Sequence, residues 1–118
     1  VIVAESNKER LDASPTGLSV YFKYGIKILT PVYYYHFPKE NLNIRQVFWD
    51  SLVILEDDND YRKKLYACLF YLKNKSKLKS IKHGLIDNLN RVLNGEKIKN
   101  FPSLNEIKEK AIQYDIQL

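Results

Sequence analysis

Between residues 44 and 57 the apolar side chains recur at helical spacing. Ile44, Val47, Phe48, Ser51, Leu52 and Leu55 fall at i, i+3, i+4, i+7, i+8 and i+11, the stripe an amphipathic helix buries. Asn43 stands where an N-cap belongs. The acid run EDDND, 56–60, closes this helix, and Asn59 or Asp60 caps the next. Over 61–74, Tyr61, Leu65, Cys68, Leu69 and Leu72 make a second stripe, widened by Tyr66 and Phe70. Over 78–94, Leu78, Ile81, Leu85, Leu89, Val92 and Leu93 make a third, weakened by the internal Gly84 and stopped at Asn94-Gly95, because glycine tolerates the left-handed position after a helix. Ser103 with Glu106 three residues on reads as a capping box and opens a fourth helix over 103–115, with Leu104, Ile107 and Ala111 inward.

Upstream the period changes. In LSVYFKYGIKILTPVYYYHF, 18–37, β-branched and aromatic residues dominate, the set favoured on pleated surfaces. Leu18, Val20, Phe22 and Tyr24 alternate at period two, as do Ile26 and Ile28, with Gly25 as a turn or bulge. Pro31 lacks an N–H and belongs at an edge or a break. Two or three short strands are expected here. A helix over 17–29 is the competing reading, and it would have to carry Gly25. Residues 1–3 read as an edge strand or a frayed end, SPTG at 14–17 as a turn, and PKEN at 38–41 as a connector. The predicted fold is therefore α+β and mostly helical: a small N-terminal β element at about 18–37, then a four-helix bundle-like region at 44–57, 61–74, 78–94 and 103–115.

The 118 residues fit one domain, 1–118, long enough to bury a core without metal or disulfide. The chain begins at Val1 and lacks methionine, which also suits a piece of a longer protein. Nine Tyr and five Phe mean that the core or a contact surface leans on rings. The lone cysteine, Cys68, excludes a disulfide-stapled scaffold and suggests an intracellular chain. No apolar run is long enough to span a membrane, and no signal peptide is recognisable.

Charge changes the picture more than composition does. Residues 61–100 carry eleven Lys/Arg against two Asp/Glu, whereas 1–60 carry six against nine. A basic side of this kind attracts anions. Its densest part is KNKSKLKSIK, 73–82, with five lysines and no acid. Lys73 and Lys75 suit the negative C-terminal end of the second helix. Lys77, Lys79 and Lys82 would fall before or within the first turn of a helix starting at 78. Acids are the favoured residues there, so free backbone N–H groups and lysines together would make an anion site.

The candidate binding residues are thus Lys73, Lys75, Lys77, Lys79, Lys82 and Arg91 on a basic surface, with Tyr33, Tyr35 and Trp49 as exposed aromatics. On a strand the three tyrosines 33–35 alternate faces, so at least one points away from the core. Trp49 borders the first helical stripe. Exposed tyrosine and tryptophan anchor protein interfaces and stack on bases.

Catalytic chemistry finds little material. His36 and His83 lack metal-ligand spacing, and no catalytic residues, metal ligands or cofactor are expected. EDDND lacks the ligand spacing of a calcium loop. Four glycines form no phosphate-cradling motif. The favoured function is a non-enzymatic module that binds another protein or a second copy of itself through exposed aromatics and the basic helices. The alternative is a nucleic-acid-binding domain contacting phosphates through Lys-rich helices at 61–91. A small enzyme without a recognisable motif comes third.

Overall fold

Three short strands and four α-helices surround an aromatic core in the computed structural model of the protein, which describes residues 1–5, 12–30 and 32–118. The strands are β1 (Ile2–Glu5), β2 (Ser14–Thr16) and β3 (Tyr33–His36). They form one antiparallel sheet in the order β1-β3-β2. Val3 and Pro15 both face Tyr35 across the ladder. Pro15, with no N–H to donate, lies on an edge strand, where its loss to the ladder is smallest. The expected strand at 32–37 is therefore present, as the centre of the sheet, and residues 1–3 join its edge. SPTG lends three residues to β2. Its Gly17 makes the turn at φ 63°, in the left-handed region that glycine enters freely.

The period-two reading of 18–24 does not hold. Gly17–Tyr24 is a 3-10 helix ended by Gly25 at φ 93°. Three residues per turn align Leu18, Tyr21 and Tyr24 on one stripe. Leu18 and Tyr21 are buried there, while Phe22 points outward, 55% exposed. Alternating apolar residues in so aromatic a stretch fit both periods, and burial against the helices decided between them. Residues 25–30 form no strand, and Pro31 lies outside the described residues.

The helices are α1 (Ile44–Asp57), α2 (Tyr61–Lys73), α3 (Gly84–Leu93) and α4 (Leu104–Gln113). Their caps follow the sequence reading. Asn43 Oδ1 accepts from Gln46 N and Asp60 Oδ1 from Lys63 N, while Ser103 and Glu106 complete the capping box. Packed against α1, α3, α4 and the 3-10 helix, α2 is the hub of the fold. Cys68, Leu69 and Phe70 are fully buried. Phe70 stacks on Tyr21 with ring centroids 4.0 Å apart and on Phe48 at 5.8 Å, and takes the edge of Tyr24 at 5.7 Å. Four of the chain's aromatic residues meet here, where rings bury large areas. Among the described residues no helix is long and apolar enough to cross a membrane.

The third helix starts six residues later than expected. A 3-10 turn, Lys75–Lys77, follows α2, and residues 78–83 run without helix to Gly84. Ser80 sits at φ 74°, which breaks any helical path. Leu78 is fully buried and Ile81 partly buried. Those two side chains plug the core from a strap and imitate a helical stripe in the sequence. The stop at Asn94-Gly95 is as expected, with Gly95 at φ 98°.

Candidate interaction surface

The strap 78–83 lies along α1. At one end Arg45 Nη1 donates to Lys79 O at 2.7 Å, and Nη2 reaches Ser80 Oγ at 3.3 Å. At the other end His83 Nε2 meets Glu56 Oε1 at 3.1 Å. Between them Trp49 presents its ring at right angles to His83, centroids 6.2 Å apart. Arg45 and Trp49 are four residues apart on one helix and so share a face. Trp49 is 44% exposed. A tryptophan on α1 and two lysines 30 and 33 residues further along the chain thus come to one surface.

Electrostatics single out the same corner. Lys75, Lys77, Lys79 and Lys82 are exposed and form no ion pair among the described residues. The first turn of α1 holds no acid and carries Arg45, so the positive end of that helix adds to the field. The anion site expected at the start of α3 is not formed in that way. Lys77 and Lys79 precede the helix altogether, and Lys82 precedes its N-cap, His83. His83 Nδ1 already accepts from Leu85 N at 3.1 Å, and Asp87 supplies the acid of the first turn.

The remaining candidates disperse. Lys73, in the last turn of α2, donates to Tyr114 O at 2.5 Å. Arg91 is held by Glu96 at 3.1 Å, and Lys63 by Asp58. Lys64 donates to Asn100 O at 3.0 Å. Tyr35 is only 1% exposed, so it is a core residue, contrary to the expectation of an exposed anchor. Tyr34 is buried as well, beside Gly17 and Ile54. Both faces of β3 are covered, which strand alternation alone cannot reveal. Tyr33 is half-buried and lines a groove of about 160 Å³ with Phe22, Lys23 and Tyr35.

A second cluster escaped the sequence reading. Asp50, 2% exposed, accepts from Thr16 Oγ1 at 2.6 Å and from Gln46 Nε2 at 2.8 Å, and lies 2.9 Å from His36 Nδ1. The other ring nitrogen of His36 is 3.1 Å from Glu40 Oε1. Ser14 Oγ donates to Glu40 O at 2.5 Å. These contacts tie β2, β3 and the connector at 38–43 to α1. Each ring nitrogen and each Asp50 oxygen has a partner, so the cluster works as a clamp that satisfies its own buried groups. An aspartate flanking a buried helical stripe, 47–52, was the available signal. Cys68 is buried too, and burial pushes its thiol well above the usual range. Among the described residues no group of three or more His, Cys, Asp and Glu is arranged to hold a metal ion.

Compared with known proteins, the chain matches no family model, no curated protein and no solved structure.

Proposed function

We propose that the chain is a non-enzymatic interaction module that docks another protein through the surface made by Arg45, Trp49, Lys79 and Lys82. The observation that carries this reading is Trp49. It is a large, half-open ring braced against His83 of the strap, whose Lys79 and Lys82 form no ion pair among the described residues. Tryptophan is among the residues that dominate interface energetics, and fixed rings lose little entropy on docking. Single-stranded nucleic acid is the second reading, favoured by the same pairing of an exposed ring with unpaired lysines.

The test is a photo-reactive phenylalanine placed at position 49, exposed to extract of the source cells. The expected result is a discrete protein adduct that is lost in the Lys79→Glu/Lys82→Glu background. Labelling no stronger than at Glu109, on α4, would contradict the proposal.

A further inference from the structure

We infer that the partner offers a short acidic segment carrying one apolar side chain, with its carboxylates on the strap and the apolar group beside His83. This rests on the reading just proposed and names the chemistry of the partner.

Two observations define that chemistry. Lys79 and Lys82 flank the strap without ion-pair partners among the described residues. Beside His83 a groove of about 180 Å³ opens, lined by the apolar Leu55, Leu85 and Phe101 together with Lys64 and Glu56, so the acids of a ligand belong on the strap and its apolar group in the groove. A cationic rail that leads to an apolar seat fits a ligand with acids followed by an anchor, and complementary charge sets the direction in which the segment lies.

Two other occupants fit less well. A second copy of the chain would bring its own charge of +5, and like charges repel at long range. A nucleic-acid strand would keep its phosphates at regular spacing across the surface. Glu56 and Asp57 are exposed seven and eight residues beyond Trp49 on α1, about 10 Å along the helix axis. That distance is close to the screening length at physiological salt, so a phosphate track leaving Trp49 in that direction meets repulsion. A peptide can end its acids at the strap and turn apolar.

Trp49 is the only tryptophan, so its emission reports this surface directly. The experiment titrates the protein with an Asp/Glu-rich peptide carrying one Phe, with its Asn/Gln counterpart, and with oligothymidylate of matched length. The acidic peptide is expected to shift Trp49 emission saturably. Affinity should fall about tenfold in Lys79→Glu/Lys82→Glu, clearly less in Lys79→Gln/Lys82→Gln, and also with added salt. Circular dichroism melts confirm that both variants fold. The Asn/Gln peptide binding as well as the acidic one would overturn the inference. So would oligothymidylate binding as tightly as the peptide, which would make the occupant a nucleic acid. Silence from every polyanion would overturn it too. That last result would leave the docking surface itself to the cross-linking test, which assumes no partner.

Discussion

Trp49 stands edge-to-face with His83, and the same imidazole caps α3 through Leu85 N and reaches Glu56 across the strap. One side chain therefore starts a helix and braces the exposed ring. Two substitutions separate the roles. His83→Ala should cost about 1 kcal/mol through the lost cap and move Trp49 emission. His83→Asn keeps a capping oxygen, so it should recover most of that stability while emission stays altered. Urea melts followed by circular dichroism, with fluorescence alongside, read both effects.

The Asp50 clamp is predicted to be the costliest polar site. Asp50→Ala strands Thr16, Gln46 and His36 at once, and breaking a buried charged network costs about 3–5 kcal/mol. Thr16→Val removes one donor and should cost about 1–2 kcal/mol. Equal effects from the two variants would mean that Thr16 alone anchors β2 to α1.

Tyr21 carries the opposite sign. Its ring is fully buried, yet among the described residues its hydroxyl finds no well-formed hydrogen bond; the Ser51 hydroxyl lies nearby but donates to Val47 O at 2.9 Å. Tyr21→Phe keeps the stack on Phe70 and removes the orphaned group. Stability should stay level or rise by up to about 1 kcal/mol, whereas Tyr21→Ala should cost about 3–5 kcal/mol. A loss of more than about 1 kcal/mol in Tyr21→Phe would show that the hydroxyl is satisfied.

Two glycines should respond oppositely to alanine. At Gly17 a Cβ would come 2.8 Å from Ile54 Cδ1 with φ at 63°, so Gly17→Ala should cost more than about 1 kcal/mol. At Gly84 a Cβ meets nothing within 4 Å. As the first residue of α3 it should gain from alanine, by a few tenths to about 1 kcal/mol.

Glu106 gives an acid-dependent prediction. The Tyr61 hydroxyl, and then the Ser103 backbone N–H and hydroxyl, hold its carboxyl below the usual range. A carboxylate depressed in the folded state contributes stability above its unfolded value, and the contribution disappears as pH falls through the folded value. The gap in melting temperature between wild type and Glu106→Gln should therefore be widest near neutrality and close as the solution is acidified. A gap that does not change with pH would contradict the assignment.

Where one local signal governed the backbone, the sequence was readable. Asn43, Asp60 and Ser103 capped the helices expected of them, because a cap needs only its own helix. The strap failed for a tertiary reason. Leu78 and Ile81 are held by the core, and their spacing to Leu85 matches a helix only by count. The 3-10 helix failed because Leu18, Tyr21 and Tyr24 share its stripe while Leu18, Val20 and Phe22 share a strand's. Of the site, exposure of Trp49 at the stripe edge was legible from periodicity. Its union with Lys79 and Lys82 was not, since it depends on where a non-helical strap crosses α1. Tyr35 misled because both faces of β3 are covered.

The most direct measurement of the central claim is amide hydrogen exchange on the chain, free and bound to the protein captured at position 49. New protection on 45–49 and the strap 78–83, extending at most to the groove residues around Leu55, Leu85 and Phe101, is the expected result. Protection that falls instead on 17–24 and β3, around Phe22 and Tyr33, with 45–49 and the strap unchanged, would contradict it.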